Sequence, residues 1–236
     1  MQGNTVHTPG RPEDLPRPER LWQYGVLGTL VAAATGEPCA ERFEYPWWVF
    51  REPDELGWDD SGGQWWILRP LPEGRAVLFG VDHELSDTRN PYAPPTDLFD
   101  GAPDWLPLAE LQDMDDMLGY LYWWDGAGWH RAPYPEGLKD DGLETTVGKF
   151  ITEELAVDEA ACTFTEGLGP VEATLPVTRG LLGLVEQRGV TEAAVRELLD
   201  ALPTSEDDEG EIEPPEGGWD LAALLDVAHR ARVTPA

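Results

Sequence analysis

One short run in this chain combines side chains that could carry out chemistry. Asp82, His83 and Glu84 are consecutive, and Asp87 follows them, directly after an apolar run that predicts a strand. Carboxylates and an imidazole at a strand end could hold a divalent cation or serve in acid–base chemistry. Neighbouring strand residues point in opposite directions, so Asp82, Glu84 and Asp87 could converge only in a loop. A polar exit loop, with His83 hydrogen-bonded locally, explains the same residues.

A second histidine lies beside an aspartate in a predicted hairpin. The glycine-rich sequence after Asp125 predicts a turn, so His130 on the returning arm could act as a general base. No nucleophile accompanies this pair, and turn chemistry alone explains Asp125. The sequence contains no phosphate-binding loop, nucleophile elbow or dinucleotide fingerprint. We therefore predict no catalytic residue and no cofactor, and we favour a non-catalytic protein over an enzyme.

Tryptophan is the second unusual feature. Six of the eleven tryptophans form the doublets Trp47-Trp48, Trp65-Trp66 and Trp123-Trp124. On a strand, each doublet places one indole on each face of the sheet. Core packing accounts for most indoles, while exposed indoles flanked by carboxylates could stack on sugars or hold a cationic side chain. The binding residues predicted on this basis are Trp48, Trp65, Trp123 and Trp129, together with Asp82, His83, Glu84 and Asp87.

The elements that would position these residues follow from hydrophobic periodicity. Strands are predicted at Phe43–Arg51, Gln64–Arg69, Ala76–Val81, Leu118–Trp124 and Trp129–Ala132, and helices at Pro18–Ala34, Trp105–Asp113, Thr145–Val157, Val177–Gln187, Thr191–Leu202 and Trp219–Arg232. The fold class is therefore α+β: a mainly antiparallel, aromatic-rich sheet of four to six strands, an N-terminal helix and a helical C-terminal half. Apolar residues on both sheet faces require cover on both sides. The N-terminal helix could cover one face and the C-terminal helices the other.

Composition divides the chain into four parts. Residues 1–18 are polar and proline-rich, which predicts a disordered lead-in, and residues 19–204 form the globular domain. Residues 205–217 are an acidic linker, and residues 218–236 form a C-terminal helix. Two cysteines provide neither a disulfide framework nor metal-ligand spacing. A signal peptide at Leu21–Ala34 is the alternative to a cytoplasmic location, but nearby acids cancel its arginines, so we predict a cytoplasmic protein.

Net charge restricts the partners. The chain carries 46 acidic and 16 basic residues, a net charge of -30, and the excess is spread evenly over both halves. Such a surface opposes contact with nucleic acid and with anionic membranes, and it steers association toward a basic protein partner. Acidity that serves solubility alone is the other explanation.

Four segments carry a resemblance to known sequences. They are LWQYGVLGTLVAAATG, ERFEYPWWVF, RAVLFGVDHELSDT and YWWDGAGWHR, all between Arg20 and Arg131. They resemble a family of uncharacterised, acidic, tryptophan-rich actinomycete proteins, for which the resemblance implies no activity. A looser likeness to acidic toxin-immunity proteins of the SUKH type implies one globular α+β unit without catalytic residues.

Two classes of function follow from these observations. The first is a non-catalytic acidic binding protein, of the immunity or antitoxin kind, that neutralises a basic protein partner. The alternative is a metal-dependent enzyme or a domain that binds a sugar-like ligand through the Asp82–Asp87 loop, with Asp82, Glu84 and Asp87 as metal ligands.

Overall fold

The chain builds a meandering antiparallel sheet with most of its helices packed on one face. The computed structural model describes residues 6–36, 48–49, 55–60, 62–93, 95–165, 171–202 and 218–235. Six strands lie side by side in sequence order: β1 (Trp48–Val49), β2 (Leu56–Asp59), β3 (Gln64–Leu71), β4 (Arg75–Asp82), β5 (Tyr120–Trp124) and β6 (Trp129–Arg131). The sheet and the predominantly helical second half confirm the α+β class.

Seven α-helices occur in the described ranges. They are α1 (Pro18–Thr35), α2 (Leu108–Asp113), α3 (Leu143–Thr146), α4 (Glu153–Phe164), α5 (Val171–Gln187), α6 (Glu192–Leu199) and α7 (Leu221–Arg230). α1 is buried over most of its circumference, as its apolar sequence predicts. It ends at Gly36, whose φ of 74° suits glycine. No described helix combines the length and apolarity that crossing a membrane would require.

The tryptophan doublets place their indoles on opposite faces of the sheet. Trp66 and Trp124 join the larger core, which includes α1, α4, α5 and α7. Trp65 and Trp123 belong to a smaller cluster on the other face. Neighbouring side chains of β3 and β5 therefore point to opposite faces of the sheet, as the sequence predicts.

The cover of the second face differs from the prediction. The helices of the second half pack with α1 on the first face. The second face is covered by residues 83–118, which connect β4 to β5 and which we call the β4–β5 connection. Its buried leucines pack on Phe79 and Val77; they are Leu98, Leu106, Leu111 and Leu118. The helix predicted at Trp105–Asp113 forms part of this layer as α2, whereas Leu98 lies in the proline-rich stretch before it, which has no period that would reveal its burial.

The N-terminal segment also differs from the prediction. Residues 6–17 were expected to be disordered, yet Val6 and Leu15 are buried against the main core. The Trp129 indole donates a hydrogen bond to the carbonyl of Pro16 at 2.6 Å, and the Arg131 guanidinium donates one to the carbonyl of Gly10 at 3.1 Å. Long-range contacts of this kind order the N-terminal segment, although its composition alone predicts disorder. The predicted linker 205–217 lies outside the described residues.

Candidate functional site

Asp82 is the last residue of β4, and its carboxylate accepts hydrogen bonds from the turn that follows the strand. Its side chain is 1% exposed. Oδ1 accepts hydrogen bonds from the backbone N–H groups of Glu84 and Leu85 at 2.9 and 3.0 Å. Oδ2 accepts from Gln64 Nε2 at 3.0 Å and from Thr145 Oγ1 at 2.7 Å. Four donors saturate a carboxylate, so Asp82 fixes the loop geometry rather than presenting a ligand.

The predicted metal arrangement does not form. Glu84 and His83 point to solvent, whereas Asp82 is turned into the protein. The half-buried Asp87 accepts a hydrogen bond from the backbone N–H of Lys139 at 3.3 Å. Within the described ranges, no group of three His, Cys, Asp or Glu is placed to hold a metal ion. The physical reason is local. The Asp82 carboxylate accepts hydrogen bonds from the backbone N–H groups of a tight turn, and this orientation directs it away from the Glu84 carboxylate.

The predicted indole face does not form from the described side chains either. Trp123 and Trp129 are buried, and Trp65 is half-buried with its ring edge-on to Phe79 at 6.2 Å. Trp129 packs against Trp124 at 5.7 Å. The side chain of Trp48 lies outside the described part of the structure. Trp65, Trp123 and Trp129 pack into the sheet's two apolar cores because both faces of the sheet are covered.

Asp125 and His130 form a hairpin cap. Asp125 Oδ1 accepts from the N–H groups of Ala127 and Gly128 at 2.8 and 2.9 Å, and Oδ2 lies 2.9 Å from His130 Nε2. These backbone donors, followed by His130, lower the pKa of Asp125 to about 2. Both side chains are exposed on a turn. The arrangement matches the turn chemistry that the sequence predicts.

Beneath the Asp82 loop lies a buried polar network that the sequence did not reveal. The Asp141 side chain accepts hydrogen bonds from Gly10 N at 2.9 Å and from the hydroxyls of Tyr122 and Tyr134, both at 2.9 Å. Ser86 Oγ donates to the carbonyl of Asp141 at 2.8 Å and accepts from Asp82 N at 3.1 Å. The one available signal was an aspartate pair before Gly142, which is also an ordinary helix-start pattern. The network anchors the loop to the sheet and to the N-terminal segment.

The outer side of the β4–β5 connection has the composition of a binding surface. Four large apolar side chains are exposed among the described residues, and three of them lie here: Leu85, Tyr92 and Met117. Tyr92 is 95% exposed. Eight exposed carboxylates accompany them: Glu84, Asp97, Asp100, Asp104, Glu110, Asp113, Asp115 and Asp116. We call these eleven residues the acidic face.

Two clefts open within the acidic face. One, of about 290 Å³, is lined by His83, Glu84, Asp87 and their neighbours. The other, of about 340 Å³, is lined by Asp115, Asp116 and Thr96, among others. Arg89 lines both clefts and is the only basic residue of the connection, which contains nine acids. The surface is therefore strongly and locally negative.

The carboxylates of this face repel one another. Partial burial, together with the nearby charges of Asp116 and Asp97, raises the pKa of Asp115. Neighbouring negative charges disfavour the ionised form of each carboxyl group, and a cation placed between the carboxylates would relieve their repulsion. Sequence analysis missed Tyr92, Met117 and Asp115, although the run of acids around them was visible.

Comparison with known proteins adds no assignment. No family model, curated protein or solved structure matches the chain.

Proposed function

We propose that this chain is a non-catalytic binding protein that holds a basic protein partner through the acidic face. The observation that carries the proposal is that three exposed apolar side chains and eight exposed carboxylates belong to one connection. Neutralisation of the partner, in the manner of an immunity protein, is the role that we assign to this contact. The cytoplasm is the proposed location.

Charge would provide the steering in such a complex. A connection with nine acids and one arginine attracts a cationic partner before contact and raises the association rate. The like-charge repulsion that raises the pKa of Asp115 would be released when a guanidinium or ammonium group docks beside it. These contributions should weaken as salt is added.

Apolar contact would slow the dissociation of the complex. Tyrosine combines a large apolar ring with a polar tip and is enriched among the residues that dominate binding energies. Tyr92 is almost fully exposed, and Leu85 in the same loop is also exposed. The hydrogen bonds of Asp82 and Ser86 hold this loop to the sheet, so it loses little conformational entropy on binding.

The test is a quantitative capture experiment. Wild-type protein and variants are immobilised, incubated with lysate of the source organism at 50 mM salt, and the retained proteins are identified by mass spectrometry. We expect one or a few basic proteins whose retention falls at least tenfold with Tyr92→Ala or with Asp115→Asn/Asp116→Asn. The captured protein is then purified and titrated to establish a one-to-one complex.

Two matched variants control for general effects. Leu155→Ala removes an exposed apolar residue from α4, and Glu153→Gln/Glu154→Gln removes two exposed charges from the same helix. Both should retain the partner. Equal retention by all variants would refute the acidic face as the site. A small molecule found by native mass spectrometry, with no basic protein captured, would refute the proposed function.

A further inference from the structure

A cavity at the other end of β4 has the opposite electrostatic character from the acidic face. It has a volume of about 360 Å³ and lies between the start of α1, the β3–β4 turn and the C-terminal ends of α5 and α7. Its apolar walls include Trp22, Leu71, Val185 and Val233. A cavity of this size accommodates a small organic molecule.

Arginines dominate the polar part of the lining. Arg75, Arg188, Arg230 and Arg232 line the cavity, and the acids among its lining residues are Glu19 and Glu186. A quarter of the sixteen basic residues in a chain of net charge -30 therefore meet at one cavity. Glu186 is already paired with Arg20.

Two of these arginines occupy backbone positions that favour glycine. At the end of α5, Arg188 has φ 51°, its N–H bonds to the carbonyl of Val185, and Gly189 N bonds to Leu184 O. The end of α7 repeats the pattern, with Arg232 at φ 57°. Its N–H bonds to His229 O at 3.0 Å, and Val233 N bonds to Ala228 O at 3.0 Å.

Both helices therefore end in the motif that normally places glycine, or sometimes asparagine, at this left-handed position. An L-residue with a Cβ is strained there, so the two arginines are retained against a local cost. The third described non-glycine residue with positive φ is Glu73, directly before the lining residues Gly74 and Arg75. Backbone strain of this kind concentrates at functional sites.

The arginines differ in how far the protein itself satisfies them. Arg75 pairs with Glu73 at 2.7 Å and lies over the Trp105 ring, and Arg230 pairs with Asp226 at 2.8 Å. Arg188 has no ion-pair partner within the part of the chain that the structure describes. A planar guanidinium with five donors suits a carboxylate or phosphate group.

We propose that this cavity binds a small organic anion: a carboxylate or phosphate group attached to an aromatic or branched aliphatic body. The body lies against Trp22, Leu71 and Val185, and the anionic group is held by Arg188, with Arg232, which has an interaction of its own within the protein, beside it. The cavity at Arg75 and the cleft at His83 lie at opposite ends of β4, a strand about 24 Å long, which exceeds the screening length at physiological salt, so the carboxylates of that cleft do not oppose binding. This inference is independent of the proposed protein partner.

Calorimetric titration of the full chain tests the ligand class with four probes: phenyl phosphate, benzoate, inorganic phosphate and phenol. We expect phenyl phosphate, benzoate or both to bind at one site, and phosphate alone and phenol to bind at least tenfold more weakly. The relative affinities of phenyl phosphate and benzoate distinguish a phosphate ligand from a carboxylate ligand. Failure of both to bind would overturn the proposal.

Glycine substitution separates ligand binding from folding. Arg188→Gly/Arg232→Gly removes both guanidinium groups and places the preferred residue at each left-handed position. We expect at least a tenfold loss of affinity without a fall in the unfolding temperature. Arg230→Gln is a second variant that should also weaken binding, and the exposed Arg196→Gln is the matched control that should not. Unchanged affinity in the glycine variant would refute the assignment, and it would leave the acidic face untouched.

Discussion

The Asp141 carboxylate joins three parts of the chain that are distant in sequence. It accepts hydrogen bonds from Gly10 in the N-terminal segment, from Tyr122 in β5, and from Tyr134 in the loop after β6. A buried carboxylate is tolerated only when its lone pairs are satisfied, and these three donors satisfy it together with the backbone N–H of Leu143 at 3.3 Å. Sequence reasoning could not find this contact because Gly10 and Asp141 are separated by 131 positions.

The tyrosines of this network predict a loss of stability at alkaline pH. Burial, followed by the nearby charges, raises the pKa of Tyr122 and Tyr134 well above the ordinary value of 10. In the unfolded chain the phenols ionise near pH 10, so above that pH the unfolded state binds fewer protons and becomes favoured. The unfolding free energy should be constant below about pH 10 and should then fall, by up to about 1.4 kcal/mol per pH unit for each tyrosine.

Urea unfolding between pH 8 and 11.5 measures this fall. Tyr122→Phe/Tyr134→Phe should reduce the slope of the alkaline limb without removing it, because burial also raises the pKa of Tyr120, while Tyr92→Phe, at an exposed position, should leave the slope unchanged. Besides the six tyrosines, only two lysines and two cysteines titrate in the same range, so the phenols should dominate the profile. An equally steep limb in the double variant would show that other groups cause it.

At the scale of elements, the sequence predicts those helices and strands whose apolar residues recur with a regular period. β3, β4 and β5 lie where alternating aromatic and β-branched runs place them, and α1, α6 and α7 fall within two or three residues of the predicted bounds. β2 was missed because its four residues include glycine and aspartate, and its strand geometry comes from pairing with β3.

Helix boundaries deviate for identifiable local reasons. The predicted helix at Thr145–Val157 is divided into α3 and α4, because Thr152 caps a new helix through a hydrogen bond from Leu155 N. α5 begins six residues earlier than predicted, since Pro176 is accommodated inside the helix. For the candidate site, the sequence indicated the Asp82 loop and the acid-rich connection. The outward exposure of Tyr92 and the buried role of Asp82 depend on tertiary contacts.

The N-terminal segment provides a prediction at this scale. A Cβ at Gly10 would lie 2.4 Å from Leu143 Cδ2 and 2.8 Å from the Tyr122 hydroxyl. Gly10→Ala should therefore displace the segment from Asp141 and lower the unfolding free energy by about 1–3 kcal/mol. Hydrogen exchange of residues 6–17 should accelerate more than exchange of β3 and β4. Gly183→Ala, in α5 with open space around the new methyl group, should instead be neutral or slightly stabilising. Full protection of residues 6–17 in Gly10→Ala would contradict the contact.

Across the whole molecule, the two faces of the sheet are covered in different ways. The first face carries a continuous core that extends into α1, α4, α5 and α7. The second carries a smaller cluster under the irregular β4–β5 connection. The irregular connection exposes backbone and side-chain groups to solvent, whereas the helices of the other layer bury their apolar surfaces in the core. The proposed protein-binding surface therefore lies on the connection, and the arginine-lined cavity lies where helix ends meet the β3–β4 turn.

The charge of the whole molecule predicts how salt affects its stability. With 46 acids against 16 bases, repulsion among carboxylates outweighs the exposed ion pairs, each of which contributes about 0–1 kcal/mol. Raising NaCl from 20 to 500 mM shortens the screening length from more than 10 Å to a few ångströms and should raise the unfolding temperature by a few degrees. Asp115→Asn/Asp116→Asn should raise the unfolding temperature at low salt and reduce the salt-induced increase, because it removes two charges that repel each other. Arg196→Gln, which breaks an exposed pair with Glu192, is the control of opposite sign. If NaCl instead lowered the unfolding temperature, the ion pairs of Arg69 with Glu55 and Glu110 would have to outweigh the net repulsion.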